Sequence, residues 1–562
     1  MSTLELFEPN WREVWNGAED SGGVGAVYTK PEIVELILDL AGYLPGPRRL
    51  AELRLLEPSC GDGAFLRAIL RRLIDSERSH AAALDWDGST LEQSLRAVDL
   101  NATAVEAARS LIVEALTSEG CPKHRARVLS ETWAVQSDFL LTTWSQSFSF
   151  VVGNPPYVRL EDLPKPVLAE YRRGYATLTD RADLYIAFFE RGLRLLEEDG
   201  VLAYISANRY AKNQYGAALR KMISERYRVR HYVNLEHTQP FVADVSAYPA
   251  IVVIDRKRGS LTLAGTLDDI ESTTLDAVRA QSASAKAKAG PMAEFRDWYP
   301  DGAPWASTSQ DEIGFLSALR DRYPMLEESG GATRVGIGVA TGADDVFVLS
   351  AKSAEIEASR QLPLLMAGDV GLPSSSWSGH FLINPFGDQD DGSLVDLGRY
   401  PSLKAHMEEH AQQLRGRHVA KARASNWFRT IDRIWPALTK TPKLVIPDIQ
   451  RGGVIGLDEG CYYPHHNLYW ITSDSWDLQA LQGLLRSTQV LIQVRAFSVQ
   501  MRGGSIRYQA QTLRRVRIPS WASLPVVVVD RLRAIATSPA QNEVDAAAAE
   551  AFGMERPRDF AA

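Results

Sequence analysis

A chain of 562 residues is too long for one hydrophobic core, so two or three domains are expected. Its hydrophobic fraction of 45% and charged fraction of 23% are those of an ordinary soluble globular protein, and a net charge of −8 means that any nucleic-acid contact must come from local patches. Three scattered cysteines (Cys60, Cys121, Cys461) without a Cys-x-x-Cys, and no histidine at ligand spacing, argue against a zinc site or a disulfide framework and fit a reducing cytoplasm; no metal, signal peptide or membrane-spanning run is expected.

From about residue 31 to 258, helical patterns alternate with short apolar runs: "LLEPS", "LRAVDL", "FSFVVG", "GVLAYIS" and "AIVVID". That alternation predicts βαβ units, hence an α/β domain over 1–258 with a mostly parallel sheet. Residues 259–305, with "SASAKAKAG", lose their period and read as a linker or peripheral connection. Over 306–562, strand-like pieces ("VGIGVATG", "KLVIPDI", "LYWIT", "RVRIP") stand among loops and predict a second domain of mixed α+β character. Its tail, from about 536, reads as a polar helix with frayed ends.

"LLEPSCGDGAFLRAILRRLI" passes from a strand (Arg54 to Glu57) through a tight turn, Pro58-Ser59-Cys60-Gly61-Asp62-Gly63, into a helix. Phe65, Leu66, Ile69, Leu70, Leu73 and Ile74 form the apolar face of that helix. Gly61 and Gly63 let the backbone pass close to a ligand. The turn lies outside the carboxyl end of its strand, where open α/β sheets bind ligands. The pattern is GxG with no GxxxxGK[ST], which favours a small adenosyl ligand over a phosphate cradle; a plain strand-to-helix turn would leave the same pattern. Asp99 ends the next strand, placed to accept from two ribose hydroxyls. Asp138 suits an exocyclic amine, and Phe139 beside it an adenine face. Either acid alone is more often a loop carboxylate or a helix cap.

In "FVVGNPPYVRL" (150–160) a strand runs into Asn154-Pro155-Pro156-Tyr157. An adenine N6 amine is a poor nucleophile because its lone pair is delocalised into the ring. Two acceptors aimed at its hydrogens, the Asn154 side-chain carbonyl and the Pro155 backbone carbonyl, favour the pyramidal form that attacks a methyl sulfonium. Prolines cannot continue a helix or ladder, and each holds its predecessor extended, so the loop is stiff. Tyr157 offers a stacking face for a base that has left the duplex. The bland alternative is a rigid turn with a structural tyrosine.

Together these stretches resemble the N6-adenine DNA methyltransferases of the TaqI type, with motifs in the gamma order. "GAVYTKPEIVELILDLA" (25–41), which includes Thr29, is similar to motif X, and "LLEPSCGDGAFL" to motif I. Asp99 falls at the motif II acid, "SDFLL" resembles motif III and "NPPYV" motif IV. "ADLYIAFFERGLRLLEEDGVLAYISANRY" (182–210) is similar to the helix and strand that follow. Phe241, in "TQPFVADVSAYPAIVVI", matches the aromatic that faces Tyr157 across the flipped base. "VGIGVATGADDVFVL" (335–349), "KTPKLVIPDIQ" (440–450), "YYPHHNLYWI" and "LRRVRIP" resemble the specificity domain.

The resemblance implies a Rossmann-like class I methyltransferase domain and a DNA-recognition domain. It implies S-adenosyl-L-methionine held by Thr29, Glu57, Pro58, Ser59, Cys60, Gly61, Gly63, Asp99, Asp138 and Phe139. Asn154, Pro155, Pro156 and Tyr157 are the expected catalytic set, and Tyr157 with Phe241 the expected clamp on the base. It also implies a cytoplasmic monomer that methylates one short duplex sequence beside a separately encoded restriction endonuclease.

Local charge fits this without the family. Six arginines and no acid lie between Val494 and Arg517, among them the expected DNA contacts Arg495, Arg502, Arg507, Arg514 and Arg515. Residues 404–440 hold eight Lys or Arg against three acids, with Trp427, Phe428 and Trp435 interleaved; a solvated helix face is the alternative for that run. Asp244 and Asp255-Arg256-Lys257 loosely match a metal-dependent nuclease, which would make a combined restriction-modification enzyme. Asn-Pro-Pro-Tyr also serves RNA and protein amides, but those enzymes need no long specificity half. A silent DNA-binding protein is disfavoured because every expected catalytic residue is present.

Overall fold

Nine short aliphatic runs of the first unit, Met1–Gln310, pair into one sheet. In this computed structural model the described residues are 11–15, 28–80, 84–179, 182–243, 248–256, 261–283, 290–296, 298–299, 302–305, 310–327, 332–372, 375–387, 392–422, 424–498 and 505–557. The strands are β1 (Leu55–Glu57), β2 (Leu95–Asp99), β3 (Ala134–Gln136), β4 (Phe148–Gly153), β5 (Leu196–Ala207), β6 (Arg228–Asn234), β7 (Pro249–Asp255), β8 (Leu261–Thr266) and β9 (Ala293–Arg296). Their order is β3-β2-β1-β4-β5-β7-β6-β8-β9. β3, β2, β1, β4 and β5 are parallel neighbours, and β7 inserts antiparallel between β5 and β6.

Strands covered on both faces read as unbroken apolar runs, and every residue of β7 is buried. Helix Pro31–Ala41 starts with proline in its first turn and stops at Gly42, whose left-handed backbone (φ 85) lets its N–H return to Leu38 and Asp39 carbonyls. The helix Ala64–His80 buries all six apolar residues expected of its face, in one core with helix 31–41. Arg72, buried on that helix, is fully engaged by Glu35, Asp39 and the Tyr43 carbonyl.

Of the stretch read as a linker or peripheral connection, residues 261–283 and 290–296 extend the edge of the sheet. They add β8, the helix Ser272–Ala283 and β9 to the sheet, with β8 parallel to β6. Both strands are short and partly exposed, so their periods are weak, and the Ser/Ala/Lys-rich run between helix and β9 dominated the sequence signal.

The second unit, Asp311–Ala562, is mixed, as expected. It holds β10 (Thr333–Ile337), β11 (Val348–Leu349), β12 (Gln361–Leu365), β13 (Phe381–Ile383) and β14 (Lys443–Pro447). β15 (Ile449–Gln450), β16 (Gly456–Asp458), β17 (Tyr463–Pro464), β18 (Leu468–Ser473) and β19 (Ile506–Arg507) follow. They form sheets β10-β18-β14-β16 and β11-β13-β12-β17 and the pair β15-β19. Helices Leu478–Leu485, Thr488–Phe497, Val526–Ala534 and Gln541–Phe552 share a core with the first of these sheets. The tail's helix, expected to be polar, is docked on the unit. Val544, Ala547, Ala548, Ala551 and Phe552 are buried, while Asp545 accepts from the Thr488 N–H and hydroxyl.

Candidate functional site

β1, β2 and β4 are parallel neighbours, so the loops leaving their carboxyl ends gather at one edge of the sheet. After β1 the chain turns through Pro58 to Gly63, with Gly61 (φ 50) and Gly63 (φ 82) left-handed. A Cβ on Gly63 would stand 3.1 Å from Leu111 Cδ1, whereas one on Gly61 would meet nothing within 4 Å. Gly63 is a packing requirement, and Gly61 lies beside open space. Asp99 steadies this turn: its Oδ2 accepts from the Gly61 N–H and its Oδ1 from the Asn101 N–H, each at 2.9 Å. A carboxylate has about four acceptor sites, so two remain for hydroxyl donors.

Glu57 ends β1 almost fully buried, and its Oε2 has no hydrogen-bond partner among the described residues. Burial, followed by the neighbouring Asp99 and Asp62, pushes its carboxyl well above the usual range. Such an oxygen calls for a cationic donor, as the ammonium of a methionine moiety would be. Burial likewise raises the Cys60 thiol, which is inert as a nucleophile.

The loop after β4 is held from two sides. Ser59 Oγ donates to the Asn154 carbonyl at 3.0 Å, and Asn154 Nδ2 donates to Thr29 Oγ1 at 3.3 Å. Thr29 is brought there by antiparallel pairing with Phe241: the Lys30 N–H reaches the Pro240 carbonyl, and the Val242 N–H the Tyr28 carbonyl, both at 2.9 Å. The same pairing sets Phe241 against Tyr157, with centroids 6.2 Å apart and planes at 70°. Tyr185 meets the Tyr157 ring from another side, also at 6.2 Å. Its hydroxyl lies 2.9 Å from that of Tyr215, which donates to Asp183 at 3.2 Å. Pro155 is buried and Pro156 half-buried, and burial pushes the Tyr157 phenol up. With edge facing face, Tyr157 and Phe241 admit a flat base only after one ring turns.

Two expected cofactor residues have partners within the protein. Asp138 is buried with both oxygens already accepting: Trp15 Nε1 and the Tyr171 hydroxyl on Oδ2, the Leu140 and Leu141 N–H groups on Oδ1. The amine acceptance expected of it is taken by the protein's own donors. Phe139 lies in an apolar cluster, 5.0 Å from Phe188 and 6.3 Å from Trp144 between centroids. Trp15, Tyr171, Tyr185 and Tyr215 were not foreseen as site residues. Only Tyr185 had a signal, its position in "ADLYIAFF".

In the second unit two of the expected DNA contacts, Arg507 and Arg514, pair with acids of the protein itself. Arg507 pairs with Asp448 through Nη2 at 2.6 Å, and Arg514 donates to Glu327 and the Val335 carbonyl. Arg515 lies over Phe497 at 4.6 Å, and Arg495 sits in the last turn of helix Thr488–Phe497. Arg502 lies outside the described residues. The run 404–440 is partly turned inward: Arg417 donates to four backbone carbonyls, while Arg415 and Arg433 cover Trp427 and Trp435. Of the nuclease pattern, Asp255 is held by Arg228 at 2.5 Å, and Asp244 and Lys257 lie outside the described residues.

The model of the Eco57I restriction-modification methylase family matches residues 93–241. The type II methyltransferase M.XhoI of Xanthomonas vasicola is 42% identical over 545 residues, spanning 96% of this chain and 99% of the relative. The chain belongs to the type II methyltransferases. M.PaeR7I of Pseudomonas aeruginosa, a second type II methyltransferase, is 43% identical over 503 residues, 89% of this chain and 87% of its own length. Among solved structures, the type IIL restriction-modification enzyme MmeI in complex with DNA aligns at a TM-score of 0.64 and 13% identity, over 94% of this chain and 74% of that one, which is a likeness of fold. As a type II methyltransferase this protein modifies DNA within restriction-modification biology, and its methyl donor is S-adenosylmethionine. The left-handed turn at Gly61 and the unpartnered Glu57 oxygen fit that cofactor.

Proposed function

We propose that this type II methyltransferase acts on adenine N6 in one short duplex sequence. The observation that carries this reading is the Asn154-Pro155-Pro156-Tyr157 loop, bound to the Ser59 turn on one side and to Thr29 on the other. That placement sets acceptor oxygens beside the turn suited to the cofactor. A cytosine amine or a protein amide would use the same acceptors, and the resemblance of the motifs to the N6-adenine methyltransferases of the TaqI type favours adenine.

When bound, S-adenosylmethionine supplies an electrophilic methyl group. Around it, Glu57 takes the ammonium, Gly61 admits the chain closely, and Asp99 accepts from ribose hydroxyls while still holding the Gly61 N–H. Asn154 and the Pro155 carbonyl accept from the two amine hydrogens of the target. Tyr157 and Phe241 grip the base, and Tyr185 fixes the Tyr157 ring through the Tyr215–Asp183 chain. The methylated ammonium is strongly acidic, so its proton passes to water without a dedicated base. Asp138 and Phe139 complete the adenine pocket once Trp15 withdraws.

Sequence reading is assigned to the second unit. The protein works in the cytoplasm as a monomer, beside a separately encoded endonuclease. The test is long-read sequencing of DNA from cells expressing the protein. N6-methyladenine at one short motif supports the reading, and unmodified adenine or a modified cytosine would sink it.

A further inference from the structure

One side-chain cluster of the second unit has no part in methyl transfer. Asp344 opens the short helix Asp344–Phe347, and His465 and His466 follow β17. One carboxylate oxygen and one ring nitrogen from each histidine all lie within 4.8 Å of one another. His465 Nε2 is 3.1 Å from Asp344 Oδ2, and the two imidazoles stand 4.0 Å apart at 52°. Successive residues of an extended strand point to opposite faces. Here both rings turn to one side because the strand stops at Pro464 and the chain folds back, with the Leu468 N–H on the His465 carbonyl.

Two features separate this cluster from a simple His–Asp hydrogen bond. Both histidines keep a buried Nδ1 with no hydrogen-bond partner among the described residues. Thr341 Oγ1 donates to Asp344 Oδ1, which fixes the carboxylate as outer hydrogen bonds fix metal ligands.

We propose that Asp344, His465 and His466 form a divalent transition-metal site, zinc by ligand class. Two imidazoles and one carboxylate suit zinc, whereas magnesium and calcium take oxygen shells. The Asp344 side chain is 46% exposed, so an ion can enter from solvent and keep a water on that side. The ion clasps the turn before helix 344–347 to the β17–β18 turn, two pieces 121 residues apart in the chain. In the sequence the adjacent histidines showed no ligand spacing, because the third ligand comes from so far upstream.

The test uses the full-length protein, stripped with a chelator and titrated with Zn²⁺ by calorimetry, and with Co²⁺ by visible absorption. One equivalent should bind, the melting temperature should rise with Zn²⁺, and Co²⁺ should give the d–d bands of a low-coordinate nitrogen–oxygen site. Asp344→Asn and His466→Gln, both away from the core, should each weaken binding by at least about tenfold. His410→Gln serves as control, because His406, Glu409 and His410 form the other such group among the described residues, with His406 Nε2 engaged by the Val346 carbonyl. No uptake by the wild type overturns the site. So does unchanged uptake in both variants, or loss only in the control.

Discussion

Trp15 Nε1 donates to Asp138 Oδ2 at 2.8 Å, across 123 residues of sequence. The same oxygen takes the Tyr171 hydroxyl at 2.6 Å. Tyr171 is buried, whereas Trp15, on the five-residue helix Trp11–Trp15, is half-exposed and is the donor that can leave. A ligand amine seeking Asp138 therefore competes with an indole. Replacing Trp15 with Phe removes one hydrogen bond to a charged acceptor, and cofactor affinity should rise by about threefold to tenfold. Calorimetry decides: unchanged or weaker binding would show that the indole does not stand in the cofactor's way.

Glu57 makes cofactor binding depend on pH. Its carboxyl is raised by burial, so it is protonated in the free protein well above the ordinary carboxylate range. A cationic partner favours the ionised form, so binding must expel the proton below the raised value and need not above it. Affinity should climb with pH through that window, by up to about tenfold per unit, and then level. Calorimetry in two buffers of different ionisation heat counts the proton. Glu57→Gln should bind weakly with no such slope, and a proton count of zero in the wild type removes Glu57 from the site.

Asn154→Ala should separate chemistry from binding. It deletes one acceptor for the target amine and one bond to Thr29. The single-turnover rate should fall by about a hundredfold or more, as when one preorganised polar contact is lost. Cofactor affinity should stay put. An equal loss of cofactor affinity would move Asn154 from the target to the cofactor.

Arg507→Ala reports on folding before it reports on DNA. Its partner Asp448, 13% exposed in its side chain, would lose a bidentate cation. Stability should fall by about 1–3 kcal/mol, and Tm by roughly 2–4 °C for each kcal/mol. Adding Asp448→Asn should restore part of the loss. An unchanged melting curve with weaker duplex binding would return Arg507 to the DNA-contact set.

The catalytic turn and the Asn154 loop were legible because their chemistry is local: a strand end, a glycine or proline, and a polar residue within a few positions. The pairing of Thr29 with Phe241 was not legible, since nothing in either stretch points to the other. Trp15 on Asp138 was invisible for the same reason. The acids facing the arginines of 495–517 were not legible, because sequence charge does not reveal that Asp448 or Glu327 lies opposite. The tail was read as a helix, but its burial was not legible, because Ala547, Ala548 and Ala551 bury well while contributing little apolar contrast.

The insertion of β7 between β5 and β6 also sets a clock. Synthesis runs from the amino end, so a growing chain that has reached Tyr157 carries the cofactor turn and the transfer loop but has no Phe241 for Thr29 to pair with. Nor can the sheet close past β5 until Asp255 has been added. At about 5–20 residues per second that interval lasts roughly 5–20 s. Transfer competence arrives late and all at once on the ribosome, and a chain released early within that stretch is born inert.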